Sequence, residues 1–172
     1  MASRDAPWQS SRARHVYLAH FRVRFHELDP LGHVNNATYL TYLEQAAIDH
    51  AAAGGYDAER LRALGGVFIA RRHEIDYLRP ARAGDWLRVT TWPVDLHGAR
   101  AIRAYEIARL TVDDLAAGPP VDGRHATMTA PVADGDVLVS ARTEWAFVDV
   151  VSGRPRRIPG EVIAQFLVSA AE

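Results

Sequence analysis

Only one long stretch of this chain repeats apolar residues at helical spacing. Leu40, Leu43, Ala47 and Ala51 recur every three or four residues within 37–53, which lines one side of a helix. Asn35 and Asn36 ahead of it are good N-cap types, and Gly54-Gly55 is a natural stop. Most of the remaining chain reads as strand. Residues 16–26 precede the helix with Tyr17, Phe21, Val23 and Phe25, and 67–78, 85–94, 99–110 and 137–150 follow it with β-branched and aromatic residues between turn signals. In the last of these, Val137, Val139, Ala141, Thr143, Trp145 and Phe147 alternate as one apolar face. A single long helix in such a chain needs a sheet to cover its apolar side. The pattern therefore predicts an α+β domain, with one antiparallel sheet of about five strands against one helix. That helix covers one sheet face only, so the other face or an edge is expected to meet a second copy of the chain.

The chain has 172 residues, enough for one domain with a substantial core. The domain is expected over 16–172, with 1–15 as a loosely held arm. Residues 57–64 and 161–171 read as short helices. Residues 111–136 carry five Asp, three Gly and three Pro, and read as a long polar loop in which 125–129 could extend a flanking strand. The segments 79–84 and 95–98 read as connections between antiparallel neighbours.

Composition excludes several chemistries. There is no cysteine, so thiolate nucleophiles, disulfides and cysteine metal sites are ruled out. The eight histidines are scattered without a convincing ligand pair, so no metal is expected. No Gly-x-Ser-x-Gly elbow or P-loop occurs. Net charge is −1, from 20 basic and 21 acidic residues, which argues against a nucleic-acid partner. No apolar run reaches the roughly 20 residues of a membrane span, and the polar start offers no signal peptide, so the cytoplasm is the expected location.

The turn between the first strand and the helix carries the most specific signal. The run Arg24-Phe-His-Glu-Leu-Asp-Pro-Leu-Gly-His-Val-Asn-Asn-Ala-Thr-Tyr-Leu-Thr-Tyr-Leu-Glu resembles the signature of the 4-hydroxybenzoyl-CoA thioesterase family of hotdog proteins. Glu27, Asp29, Pro30, Gly32, Tyr39, Leu40 and Glu44 stand at the family's positions. The Gly-His-Val-Asn-Asn portion is more similar to the acyl-ACP thioesterase branch. Downstream, Ile75-Asp-Tyr-Leu-Arg-Pro-Ala-Arg-Ala-Gly-Asp, Thr143-Glu-Trp-Ala-Phe-Val-Asp and Gly153-Arg-Pro-Arg-Arg-Ile-Pro resemble the family's later strands and tail. Four segments in the family's order cover roughly residues 16–166. Glu27 in place of the commoner Asp, and the long 111–136 loop, depart from the pattern. The resemblance implies a hotdog fold, its sheet wrapped around the helix, in a homodimer or homotetramer that acts on acyl-CoA or acyl-carrier-protein thioesters without a cofactor.

Thioester cleavage needs an activated water or a nucleophile, and donors for the charge developing on the carbonyl oxygen. Asp29 stands on a turn just ahead of a helix start, whose first N–H groups have no intrahelical acceptor. The resemblance implies that Asp29 is the general base or nucleophile and that the backbone N–H near Asn36 clamps the carbonyl. Read locally, an Asp before Pro-x-Gly equally suits an Asx turn. His33 could assist proton transfer or simply occupy the turn. Asn36 could bind the carbonyl or cap the helix. Gly32, Asn35, Ala37, Tyr39 and Glu44 complete the expected substrate site, Glu44 also suiting a salt bridge. Glu27 carries the charge to perturb Asp29 if the two share a face. Arg71, Arg72, Arg79, Arg82, Arg88, Arg100 and Arg103 could meet phosphates, although most suit solvated strand faces. Two other functions fit the same fold: enoyl-thioester hydration or dehydration, and acyl-CoA binding without catalysis. Asp29-Pro-Leu-Gly-His33 is only a partial likeness to the Asp-x-Asn-Pro-x-His motif of hydratases.

Overall fold

The computed structural model describes residues 16–111, 114, 125–128 and 136–167. The 1–15 arm, most of the 111–136 segment and the end of the final helix lie outside these residues. Six strands form one antiparallel sheet: β1 (Val16–Arg22), β2 (Gly66–Tyr77), β3 (Trp86–His97), β4 (Arg100–Arg109), β5 (His125–Met128) and β6 (Asp136–Asp149). Their spatial order is β2-β6-β4-β3-β1-β5. The expected five strands are all present, and the sixth, β5, forms within the segment read as a loop. It pairs with β1 from Val16↔Met128 to Ala19↔His125.

Three α-helices with described bounds accompany the sheet: α1 (Asn36–Ala53), α2 (Ala58–Ala63) and α3 (Gly160–Phe166). The strand registers Thr91↔Tyr105↔Ala141 and Val89↔Ile107↔Val139 set buried residues side by side across β3, β4 and β6. This row faces α1. The helix presents Tyr39, Tyr42, Leu43, Ala46, Ala47 and His50 to the core, whereas Leu40 and Ala51 of the expected stripe are only half-buried. The core face is thus turned toward two tyrosines and a histidine, because each finds a partner there. Tyr17 stacks on His50 with ring centroids 5.0 Å apart, Phe21 stacks on Tyr42 at 5.1 Å, and the Tyr39 hydroxyl accepts the Ala81 N–H at 3.1 Å.

Strand β3 runs to His97, three residues past the expected end at 94, and carries Pro93 within it. A bulge between Pro93 and Asp95 resets the register, which lets the strand carry a residue that cannot donate to the ladder. Gly98, with φ +57°, and Ala99 then make a two-residue reversal into β4, so 95–98 is mostly strand rather than connection.

The end of β6 is held by Asp149. Its Oδ1 accepts the N–H groups of Val151 (3.1 Å) and Ser152 (2.8 Å) and the Ser152 hydroxyl (3.0 Å). These donors, chiefly those of Ser152, hold its carboxyl down at about 2. A lowered folded-state value means the contribution is complete above the unfolded value near 4 and is lost as pH falls through 4 toward 2. Asp149→Asn is accordingly expected to flatten the acid limb of stability in that window and to leave its slope near neutrality unchanged. Urea midpoints taken at intervals between those pH values check this.

Candidate active site

The chain leaves β1 through a short 3-10 turn, Phe25–Glu27, and doubles back in a tight hairpin before α1. Leu28 and Val34 bridge across it, the Asp29 N–H donates to the His33 carbonyl at 2.7 Å, and the Gly32 N–H donates to the Asp29 carbonyl at 3.0 Å. Gly32 sits at φ +74°, a backbone state that costs glycine nothing and strains most other residues. At the base of the hairpin the Asn35 N–H reaches the Glu27 carbonyl at 2.9 Å. This closure brings the helix start back beside the hairpin that carries Asp29.

Asp29 is half-buried, and its two oxygens differ. Oδ1 accepts from the N–H groups of Leu31 (2.8 Å) and His33 (3.1 Å). Oδ2 has no hydrogen-bond partner among the described residues. The Asx turn is therefore real, yet it occupies only one side of the carboxylate and leaves the other oxygen available.

The helix start shows the same division. Asn35 is the N-cap, its side-chain oxygen accepting the Ala37 N–H at 2.9 Å, and the Thr38 N–H donates to the Asn35 carbonyl at 2.9 Å. The Asn36 N–H is left without an acceptor among the described residues. The Asn36 carbonyl accepts the Tyr77 hydroxyl at 3.0 Å, a hold on the helix start that sequence reasoning missed. Of the two N–H groups expected to be free, Asn36 keeps its hydrogen and Ala37 has given its own to the cap. Asn35→Ala is expected to lower stability by about 1 kcal/mol, the usual cost of losing an N-cap side chain, measurable as a shift in urea midpoint.

The other expected residues separate. The His33 ring is half-buried and has no hydrogen-bond partner among the described residues. Tyr39 is buried against the Ala81 N–H, with burial raising its hydroxyl above the usual tyrosine value. Glu27 is engaged in holding the turn: its Oε2 accepts the Arg24 N–H at 2.6 Å and the Tyr42 hydroxyl at 2.7 Å. Of the arginines, Arg72 pairs with Glu74 at 2.5 Å, Arg79 with Asp136, and Arg100 with Glu144 at 2.8 Å. Arg71 and Arg82 are exposed. Arg103 lines a cavity along α1.

That cavity has a volume of about 370 Å³ and runs along α1 from Glu44 to Ala51. Ala47, Leu61, Trp145, Val162 and Phe166 line its buried wall, and exposed Glu44, Asp57 and Arg62 stand on its rim. Sequence reasoning placed Glu44 in the site but not the cavity itself. The available signal was the alternation of β4, where Ala101, Arg103, Tyr105 and Ile107 share a face. Among the described residues no cluster of His, Asp and Glu could hold a metal ion, and no helix is long and apolar enough to cross a membrane.

Comparison with known proteins bears on the family and the fold. The family profile of the thioesterase-like superfamily matches residues 23–166. The acyl-CoA thioester hydrolase YbgC of Escherichia coli O6:H1 is 22% identical over 145 residues, which are 84% of this chain and 91% of that protein. The crystal structure of Slr0204, a 1,4-dihydroxy-2-naphthoyl-CoA thioesterase from Synechocystis, shares the fold. Its TM-score is 0.68 at 15% identity, covering 87% of this chain and 94% of that one. A thioesterase from Thermus thermophilus, solved in complex with coenzyme A and Zn, gives 0.63 at 25% identity over 87% of this chain and 90% of its own. By the profile match across most of its length and by its sheet-and-helix architecture, the chain belongs to the thioesterase-like superfamily and has the hotdog fold.

Proposed function

We propose that this protein hydrolyses acyl-CoA or acyl-carrier-protein thioesters to free acid and thiol, with Asp29 and the helix start at Asn36 as its chemical centre. One observation carries the reading: a carboxylate anchored by one oxygen and open at the other, seven residues ahead of a helix whose first N–H is uncommitted. The open Oδ2 of Asp29 either draws a proton from a water that attacks the thioester carbon, or attacks that carbon itself. The Asn36 N–H, at the positive end of α1, stabilises the charge that builds on the carbonyl oxygen. The tetrahedral adduct then collapses with loss of the thiolate, which takes up a proton; by the second route this leaves an acyl–Asp29 anhydride, which a water hydrolyses to the free acid and the Asp29 carboxylate. His33, beside Asp29, is placed to exchange protons with solvent, and Gly32 and Asn35 hold the turn and cap in register.

We extend the reading to assembly. β2 is an outer strand with an open backbone edge, and Ile69, Tyr77 and Leu78 on and beside it are exposed, which supports a homodimer or homotetramer. A monomer throughout the micromolar range in sedimentation equilibrium would count against it. The activity is tested by thiol release over a panel of acyl-CoA and acyl-carrier-protein thioesters. Release from none of them, by protein shown to be folded, would overturn the hydrolase reading.

A further inference from the structure

The cavity beneath α1 contains a charge that its surroundings do not balance. Arg103 reaches in from β4, and its Nη1 donates to His50 Nδ1 at 2.9 Å and to Thr91 Oγ1 at 3.2 Å. A guanidinium only donates, so His50 accepts as a neutral ring with its proton on Nε2. The Thr91 hydroxyl passes its own hydrogen to the Ala104 carbonyl at 3.0 Å. Both partners of Arg103 are therefore uncharged. Its Nε and Nη2 have no acceptor among the described residues, and no carboxylate there lies within salt-bridge distance. Burial accordingly works against the charge and lowers the guanidinium's proton affinity.

Two acidic residues share the cavity, Glu44 and Asp57, but both stand exposed on its rim. Arg62 is exposed on the rim as well, and the inner wall is apolar: Ala47, Leu61, Trp145 and Phe166 among others. An apolar cavity suits an alkyl chain. A half-buried cation that offers a free Nε–H and Nη2–H pair into such a cavity suits the two oxygens of a carboxylate, which that planar edge binds side-on. An alkyl chain end would use neither donor.

We propose that the cavity receives the acyl chain, and that the Nε/Nη2 edge of Arg103 binds a carboxylate at the chain's far end, making thioesters of α,ω-dicarboxylic acids the preferred substrates. The inference rests on the thioesterase reading for the position of the near end. Helical rise puts Glu44 about 12 Å beyond Asn36 and His50 about 21 Å beyond it. A chain whose carbonyl sits at Asn36 must therefore be long to bring its other end to Arg103. Arg103 is a specificity residue here, remote from the reacting carbonyl.

The test compares monocarboxylic and α,ω-dicarboxylic acyl-CoAs of equal length, from about eight to about sixteen carbons to bracket that span. Thiol release is measured with wild type, Arg103→Met and Arg103→Lys. At the best length, wild type is expected to favour the dicarboxylic substrate in kcat/KM by about tenfold or more, the scale of one charge-assisted hydrogen-bonded pair. Arg103→Met should lower the dicarboxylic value chiefly through KM and raise the monocarboxylic one, since no charge is then buried against an alkyl end. Arg103→Lys keeps the charge without the two-pronged edge and should lose part of the preference. It also serves as the second variant if methionine impairs folding by circular dichroism. A wild-type preference for monocarboxylic chains at every length, or an equal fall in both values on removing Arg103, would overturn the proposal. If no thioester is cleaved, the hydrolase reading fails separately. Calorimetry with the non-hydrolysable S-alkyl and S-(ω-carboxyalkyl) thioethers of CoA then decides the carboxylate site. Tighter binding of the carboxylated analogue that is lost in Arg103→Met upholds the proposal, and equal binding of the two analogues overturns it.

Discussion

Asp29→Asn is expected to lower kcat for thioester hydrolysis by about 100- to 10,000-fold, the range supplied by a positioned proton acceptor, while the protein keeps its fold. The two oxygens of Asp29 make this separation possible. The side-chain oxygen of asparagine can take the place of Oδ1 and accept the same N–H groups of Leu31 and His33. Its NH2 then replaces Oδ2, the oxygen proposed to take the proton or attack the carbonyl carbon. Stability should therefore move by no more than about 0.5 kcal/mol, as for a substitution that breaks no anchor. Asp29→Ala removes both functions, so it should lose comparable activity and about 1 kcal/mol or more of stability besides. Single-turnover rates alongside urea midpoints for the two variants check the argument. Full activity in Asp29→Asn would reduce the residue to its turn role. Turnover in isotopically labelled water then separates the two routes. Label appearing in the Asp29 side chain, or an acyl group on Asp29 trapped with hydroxylamine, marks direct attack, and label confined to the product acid with nothing trapped marks general-base catalysis.

The division of labour within Asp29 shows how far a sequence alone can be read. The strands and the single helix were legible because periods of two and 3.6 differ plainly, and turn residues bracket each run. The core face of α1 was less legible: Tyr39, Tyr42 and His50 count as polar in a pattern, and only the stacking of Tyr17 and Phe21 and the Ala81 N–H make them core residues. The extension of β3 beyond 94 to His97 depends on a bulge, which follows from pairing with β4 and has no local signal. At the site, the competition between turn and chemistry at Asp29 was visible, but its division between two oxygens was not. The loss of the Ala37 N–H to the Asn35 cap belongs to the same class, since it depends on side-chain geometry. Arg103 was one of seven candidate arginines. Only the β4 register turns it inward, to meet a helix residue 53 positions away and a strand residue 12 positions away.

The steepest stability effect is expected where β2 crosses β6. Phe147 is fully buried and packs on Phe68 with ring centroids 5.0 Å apart. Phe147→Ala should cost about 3–5 kcal/mol for lost burial and the cavity left behind. For a chain of this length that is a fall in Tm of about 10 °C. Gly66 approaches the same ring from the start of β2. A Cβ built there would collide with Phe147 Cε1 and Cζ and lie 2.9 Å from the Val148 carbonyl oxygen. The ring is enclosed by the core and cannot swing away, and the carbonyl belongs to the paired strand. Gly66→Ala alone should therefore cost about 1–3 kcal/mol in overpacking. The two losses have one origin, the space shared by the ring and the glycine, and so they should not add. In the double variant the alanine methyl groups occupy room that the ring has vacated. The combined loss is expected to fall short of the sum of the single losses by about 1 kcal/mol, a coupling typical of residues in contact. Urea unfolding of the four proteins measures that coupling directly. Strict additivity would mean that β2 shifts away from β6 to admit the methyl group, and that the close approach at Gly66 does not hold the edge strand in place.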